Sequence, residues 1–152
     1  MSNFKIKKMK IIIINGPNLE FIGKREPEIY GNKNIKEYFY ELKNIYKSKN
    51  IDLEWFFSNK EGEIIKKLQE VDTQYDGIIL NAGGYSHTSV AISDTIRMIS
   101  TPVIEVHISN IFSREEYRHI SLTAINAIGV IIGFGLKSYK LAIESFLISN
   151  GK

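Results

Sequence analysis

The feature that most constrains the fold is a run of four isoleucines, Ile11 to Ile14, followed at once by a long polar loop. Consecutive branched apolar residues are typical of a strand buried on both faces, as in the middle of a parallel sheet with helices above and below. Gly16-Pro17 ends this strand, and the loop continues to Gly31, beyond the length of most simple connections. We therefore expect functional residues in the loop just past the first strand.

The rest of the chain alternates amphipathic helices with short apolar strands. The predicted helices cover 35–48, 60–73, about 86–100 and 136–149, and the later strands cover 51–58, 77–80, 102–107 and 127–132. This rhythm predicts an α/β fold, a flavodoxin-like doubly wound five-stranded parallel sheet of order 2-1-3-4-5. Because 152 residues that are 43% hydrophobic suit one core, we expect a single catalytic domain, 1–152, with 1–9 as an N-terminal extension.

Composition excludes several classes of protein. No run approaches the roughly 18 apolar residues of a membrane span, and the first ten residues lack a secretory signal, so we expect a cytoplasmic protein with no membrane partner. The absence of cysteine excludes disulfides, thiolate catalysis and cysteine-ligated metals. The net charge of +3 includes no block of like charge, so we expect no nucleic-acid partner.

Three familiar motifs are absent. The segment 16–24 ends in Gly-Lys, but six residues separate its glycines where a P-loop has four, and Arg25 replaces the Ser/Thr that binds magnesium. The glycines at 133 and 135 open the last helix, which leaves no room for the rest of a dinucleotide-binding unit. The three histidines share no metal-ligand spacing, so we expect no metal site.

Parallel strands end at one edge of their sheet, so the loops 15–30, 81–88 and 105–118 should meet there. His107 and Glu105 share one face of a strand, which fits either a carboxylate that orients a catalytic imidazole or a packed structural pair. Tyr30 could be a packing residue or a base. A phenol of pKa ~10 is handicapped by ~4 kcal/mol at neutral pH, and a cation such as Arg25 could remove much of that handicap.

Other polar residues in these loops also have two interpretations. Asn18 could serve a ligand or bond its own backbone. The segment 81–89 exposes backbone amides near a helix start, which favours anions and hydroxyl-rich ligands, although a glycine turn with a capping box would look similar. The segment 113–116 is typical of a helix start. Arg114 and Arg118 would then share one helical face, either reaching a carboxylate or pairing with Glu115 and Glu116 as a solvated surface. Asp94, inside the third helix, would ordinarily be exposed.

Taken together, these stretches are similar to the type II 3-dehydroquinate dehydratases. The similarity rests on GPNLEFIGKREPEIYG, LNAGGYSHTSVAISD, PVIEVHISNIFSREEYRH and GVIIGFG, and runs from about residue 10 to residue 146. The resemblance implies a hydro-lyase of the shikimate pathway that needs no cofactor or metal. It would remove water reversibly from 3-dehydroquinate by anti elimination through an enolate, giving 3-dehydroshikimate. It also implies a homododecamer, a tetramer of trimers.

The resemblance implies roles for five catalytic residues. Tyr30 would be the base that removes the proton beside the ketone, and Arg25 would lower the pKa of its phenol. Asn18 would stabilise the enolate. His107, oriented by Glu105, would protonate the departing hydroxyl.

It also implies a substrate-binding set. Asn81 and the backbone at Ile108 and Ser109 would hold the substrate carboxylate. His87 and Arg118 would bind the ring hydroxyls.

Two further residues would act at the borders of the site. Arg114 would support a lid formed by 23–31, whose closure excludes water. Asp94 would reach the site of a neighbouring subunit.

The chain departs from the family pattern at Glu20, at Phe112 and over 120–125. A carboxylate at position 20 could oppose an anionic substrate or pair with Arg25. Two rival functions remain open, a flavin- or nucleotide-binding module of the same fold and a basic nucleic-acid binder. The flavin or nucleotide module has no need of Tyr30 or His107, and the nucleic-acid binder predicts salt-sensitive retention on DNA or RNA.

Overall fold

The computed structural model describes residues 6–24, 28 and 33–149. Its parallel sheet has the strand order β2-β1-β3-β4-β5, which confirms the predicted topology. The strands are β1 (Met9–Asn15), β2 (Ile51–Phe57), β3 (Gly77–Asn81), β4 (Val103–His107) and β5 (Gly129–Ile132). The α-helices in this part of the chain are α1 (Ile35–Lys47), α2 (Glu61–Val71), α3 (Val90–Met98) and α4 (Lys137–Ser149).

The isoleucine run explains the three-layer arrangement. Ile11 and Ile13 pack into one buried apolar cluster with α1 and α4, whereas Ile12 and Ile14 pack into a second cluster with α2 and α3. Successive side chains of a strand point to opposite faces of the sheet, so a central strand with helices on both sides needs apolar residues at every position. Each of the four isoleucines is at least 96% buried.

Two predicted helical segments differ from the structure. The segment 83–87 is a short 3-10 helix, so α3 begins only at Val90, where the Ser89 side chain caps it by accepting the Ile92 N–H. The prediction of a helix that starts at 113–116 was wrong. Short 3-10 turns cover Ile111–Ser113 and Glu116–Arg118, and the backbone between them is extended.

The first of these turns is closed by side-chain bonds that end it after one turn. The Asn110 side chain accepts the Phe112 N–H, and the Ser113 hydroxyl donates to the Asn110 carbonyl oxygen. Local side-chain bonds of this kind compete with a continuing helix. Arg114 and Arg118 therefore do not share a helical face.

The carboxyl ends of the strands converge on one edge of the sheet. Asn15, the last residue of β1, pairs in register with Asn81, the last residue of β3. The loops leave this edge so close together that a Cβ on Gly16 would lie 2.3 Å from the Ala82 carbonyl oxygen. Only glycine allows such an approach. None of the helices among the described residues has the length and hydrophobicity of a membrane span.

Candidate active site

A cavity of about 560 Å³ opens at the carboxyl edge of the sheet. Eight of the residues singled out by the sequence line it, contributed by the ends of β3 and β4 and by the loops after β1, β3 and β4. The eight are Asn18, Asn81, His87, His107, Ile108, Ser109, Arg114 and Arg118. Residues separated by up to a hundred positions meet here because parallel strands direct their following loops to one edge.

Asn18 reaches the cavity through an unusual backbone conformation. Its φ of 69° lies in the left-handed region, which asparagine tolerates better than most residues. The Asn59 side chain accepts its backbone N–H at 3.0 Å and helps to hold this conformation. The side-chain amide of Asn18 does not cap the following 3-10 turn. A purely structural role for Asn18 would require its amide to bond that turn. The amide does not do so.

Asn81 is oriented by a neutral buried network. Its Nδ2 donates to the hydroxyl of Tyr139 at 2.9 Å, and its Oδ1 accepts the Gly83 N–H at 3.2 Å. The Tyr139 hydroxyl in turn donates to Asn15 Oδ1 at 2.7 Å. Burial raises the pKa of Tyr139 far above its usual value, so its hydroxyl stays protonated. One N–H of the Asn81 amide remains for a ligand in the cavity.

His107 and Glu105 form a buried pair at the end of β4. The His107 Nε2 lies 3.0 Å from Glu105 Oε2, and the side chains are 6% and 1% exposed. Burial by itself would raise the pKa of Glu105, but hydrogen bonds from His107 and from two hydroxyl groups hold that pKa below its usual value. An ionised carboxylate only accepts hydrogen bonds, so the Nε2 carries a hydrogen. Nδ1 is then the ring nitrogen that can exchange a proton with a ligand.

His87 lies beside His107 with its ring centroid 5.9 Å away. Its Nδ1 lies 2.8 Å from the Ile120 carbonyl oxygen, and a carbonyl can only accept, so Nδ1 carries the hydrogen. Burial lowers the pKa of His87, and neighbouring positive groups lower it further. His87 is therefore neutral at neutral pH, and its Nε2 can accept a hydrogen bond from a ligand hydroxyl.

Two arginines and one glutamate form the charged wall of the cavity. Arg118 Nε donates to Glu115 Oε2 at 2.8 Å, and Arg114 Nε lies 3.7 Å from the same oxygen. Arg114 also donates to the Ser109 hydroxyl at 3.3 Å. Among the described residues that line the cavity, the two arginines outnumber the one carboxylate. Such a wall favours an anionic ligand.

The other predicted site residues include Arg25, Tyr30 and Asp94. Arg25 and Tyr30 lie outside the described residues. Asp94 does not line the cavity of its own chain; its carboxylate is 57% exposed and pairs with Arg97 at 3.1 Å. Glu20, the departure at the root of the loop, forms an exposed ion pair with Lys36 at 2.6 Å.

Sequence reasoning missed three polar groups behind the cavity. Ser121 and Thr123 both donate to the Glu105 carboxylate, and the Tyr139 hydroxyl supports Asn81. Tyr139 follows the apolar spacing of α4, which is consistent with its buried ring but gives no indication of its hydroxyl. The roles of Ser121 and Thr123 could not be predicted from the sequence either, because their partner, Glu105, lies sixteen positions or more away in the chain.

The residues around the cavity indicate which ligand it can bind and which reaction step it can support. Amide, hydroxyl and backbone groups together with a positive wall can bind a small anion that carries hydroxyl groups. A buried imidazole–carboxylate pair can deliver a proton at one fixed point. Among the described residues, no group of three His, Cys, Asp or Glu side chains is placed to hold a metal ion.

Comparison with known proteins gives one consistent family. Residues 9–147 match the family model described as dehydroquinase class II. The chain is 50% identical over 139 residues to a 3-dehydroquinate dehydratase of Prochlorococcus marinus (strain MIT 9301), an alignment that covers 91% of this chain and 95% of the relative. It is 48% identical over 140 residues to a 3-dehydroquinate dehydratase of Clostridium botulinum (strain Hall), covering 92% and 95%.

Solved structures agree with this result. A type II dehydroquinase from Butyrivibrio crossotus superimposes with a TM-score of 0.88 at 49% identity, covering 91% of this chain and 97% of that one. A type II dehydroquinase from Propionibacterium acnes gives a TM-score of 0.84 at 35% identity, covering 89% and 93%. Similarity of this kind extends over the sheet, the helices and the loops that line the cavity.

Proposed function

The chain belongs to the class II dehydroquinase family, and we propose that it is a hydro-lyase that converts 3-dehydroquinate reversibly into 3-dehydroshikimate. The substrate is a small carboxylate with a ketone and several hydroxyl groups. This chemistry suits a cavity whose described lining includes two arginines, neutral amides and a neutral imidazole. The reaction belongs to the shikimate pathway, which leads to aromatic amino acids.

The observation that carries the proposal is the His107–Glu105 pair at the cavity wall. Loss of water requires a proton for the departing hydroxyl, since hydroxide is a poor leaving group. His107 lines the cavity while its Nε2 is bonded to the buried Glu105 carboxylate. A flavin or nucleotide module of the same fold has no need of a buried proton donor at this position.

Three residues of the long loop complete the elimination. Tyr30, as a phenolate, takes the proton on the carbon beside the ketone, which gives an enolate. Arg25 keeps that phenol acidic, and Asn18 donates a hydrogen bond to the developing enolate oxygen. The enolate then collapses, the carbon–oxygen bond on the opposite side breaks, and the hydroxyl leaves as water with the proton from His107.

Polar groups around the cavity hold the substrate in place. Asn81, together with the backbone N–H groups of Ile108 and Ser109, binds the substrate carboxylate. His87 accepts a hydrogen bond from a ring hydroxyl, and Arg118 donates to another. Each of these residues lines the same cavity.

The second part of the substrate-binding proposal concerns the lid, residues 23–31. Arg114, which donates a hydrogen bond to Ser109, supports this lid, and its closure excludes water from the reaction.

We also propose assembly into a homododecamer of four trimers, in the cytoplasm, from a single catalytic domain preceded by a short extension. Asp94 is exposed on α3, and exposed apolar side chains lie near it on the same helix, Val90 and Met98. Exposed groups of this kind suit contact with a neighbouring subunit, whose site Asp94 would enter. Mass measurement in solution tests the assembly.

Ultraviolet spectroscopy tests the reaction directly. The purified protein, mixed with 3-dehydroquinate and no added cofactor, should produce the absorption band of a conjugated enone, because the new double bond lies next to the ketone. Absence of that band under conditions in which an authentic dehydratase produces it would refute the proposed function. A visible absorption spectrum of the purified protein tests the alternative, since a bound flavin would colour it.

A further inference from the structure

The Glu105 carboxylate is surrounded by more hydrogen-bond donors than an orienting partner for His107 needs. Its Oε2 accepts from His107 Nε2 at 3.0 Å and from the Ser121 hydroxyl at 2.8 Å. Its Oε1 accepts from the Thr123 hydroxyl. Glu105 and Thr123 are both 0% exposed. A buried negative charge is therefore held by one imidazole and two hydroxyl groups.

The segment that carries the two hydroxyl groups is held in place by further hydrogen bonds. The Ser121 oxygen accepts the Ala124 N–H at 3.2 Å and lies 3.2 Å from the Thr123 hydroxyl oxygen. Leu122, between them, is anchored through its backbone. Its N–H donates to the Ser86 carbonyl oxygen at 2.7 Å, and its carbonyl accepts the Ser93 hydroxyl at 2.8 Å.

These bonds matter because burial disfavours a charge. A carboxylate out of water stays ionised only when donors replace the lost hydration, and bonds to charged groups are the stronger kind. If the hydroxyl groups were removed, two of the hydrogen bonds that counteract burial would be lost, and the pKa of Glu105 would rise. A protonated Glu105 would no longer hold the Nε2 hydrogen of His107 as an ionised carboxylate does.

Building on the proposed dehydration, we propose that Ser121 and Thr123 are positioning residues of this reaction. Their hydroxyl groups keep the Glu105 carboxylate ionised and fix its plane. Glu105 then holds the Nε2 hydrogen of His107, so that Nδ1 presents the proton to the leaving hydroxyl. Neither residue lines the cavity, so both act through Glu105 and not on the substrate.

Several other charged or titratable groups surround this pair. His87 packs against His107 from the loop after β3, and Arg114, Glu115 and Arg118 line the cavity from the loop after β4. Tyr30 is the proposed base. All of them are unchanged in a variant at position 121 or 123, so a shift relative to the wild type reports on Glu105.

The test compares Thr123→Val, which keeps the shape and removes the hydroxyl, with Thr123→Ser, which restores it. For Thr123→Val we expect kcat to fall by about ten- to a hundredfold, since a bond to a charged group is lost, while KM changes little. The acidic limb of the kcat–pH profile should move to higher pH, because Glu105 takes up a proton more readily. Thr123→Ser should restore most of both properties.

Thr101→Val is the matched control. Thr101 is also buried, and its hydroxyl also donates to a carboxylate, Asp72 Oδ1 at 3.0 Å, but it lies before β4 at the opposite edge of the sheet. We expect this variant to lose stability and to keep the wild-type pH profile. Ser121→Ala provides a second site variant in case Thr123→Val does not fold, with the same expected shift of the acidic limb.

The outcomes separate the two proposals. A wild-type protein that does not dehydrate 3-dehydroquinate refutes the proposed function itself. An active wild type whose Thr123→Val and Ser121→Ala variants keep its kcat and pH profile refutes only the positioning role. The same holds if Thr101→Val shifts the profile as much as the site variants do, or if Thr123→Ser fails to restore it.

Discussion

Two buried polar networks lie side by side at the carboxyl edge of the sheet, and they differ in charge. At the ends of β1 and β3, Asn15, Asn81 and Tyr139 form a neutral network of amides and a phenol. At the end of β4, Glu105 and His107 form a network around a carboxylate. Both are buried, and both contain a residue that lines the cavity.

This difference in charge gives the two networks different roles in the site. Burial raises the pKa of Tyr139, so the neutral network keeps its protons over the whole physiological range and supplies fixed geometry. The hydrogen bonds around Glu105 lower its pKa, so the second network keeps a charge and responds to acid. A group that binds substrate benefits from fixed, neutral geometry, whereas a proton donor requires a network that keeps a charge and responds to acid.

The largest expected effect comes from breaking the charged network at its cavity end. We expect His107→Ala to lower kcat by about a hundred- to ten-thousandfold, the usual contribution of a general acid. The measurement is the initial rate of enone formation. His119→Gln is the control, since the His119 ring bonds the Arg114 carbonyl oxygen and does not line the cavity. A near-normal turnover of His107→Ala would exclude the acid role.

Breaking the neutral network should affect stability and substrate binding. Tyr139→Phe leaves Asn15 Oδ1 and one N–H of Asn81 without their partner, at about 1–3 kcal/mol for each buried group. We expect this loss in the free energy of unfolding, measured with urea, to be the same at pH 4.5 and pH 7, together with a higher KM.

Tyr46→Phe is the control for that variant. Tyr46 is equally buried, but its hydroxyl donates to Glu144, which is partly exposed and can turn to water. We expect a smaller loss of stability and an unchanged KM. Equal effects of the two substitutions would contradict a special role for the neutral network.

Acid sharpens the comparison between the networks. Because the pKa of Glu105 is lower in the folded chain than in the unfolded one, its charge stabilises the fold above the unfolded pKa of about 4.3. That contribution disappears as the pH falls toward the folded-state pKa, by about 1.4 kcal/mol for each unit between the two values. The stability difference between wild type and Glu105→Gln should therefore be larger at pH 6 than at pH 3.5. A difference independent of pH would contradict this account.

The smallest effect is expected at an exposed pair outside both networks. Lys36→Met breaks the bond to Glu20, where both side chains are nearly half exposed. We expect the coupling energy in a double-mutant cycle with Glu20→Gln to be below about 1 kcal/mol and to fall further in salt. A coupling as large as that of a buried pair would show that burial is not what separates these cases.

Much of the site was predictable because its residues lie at strand ends. Asn81 and His107 end strands in the sequence pattern, and the topology of a parallel sheet brings such ends to one edge. The loop 108–121 was harder to predict, because the bonds of Asn110 and Ser113 divide it into short turns where the sequence had suggested a helix. Nevertheless Arg114 and Arg118 reach the same cavity without sharing a helix.

The sequence alone determined the layered fold, because four isoleucines in succession need apolar neighbours on both sides of a sheet, and it determined which loops meet. Only the tertiary structure decided which groups stand behind the cavity. Tyr139 is 58 positions from Asn81, and Thr123 is 18 positions from Glu105. Local periodicity reports whether a residue is buried, whereas a hydrogen bond between distant residues depends on how the elements pack.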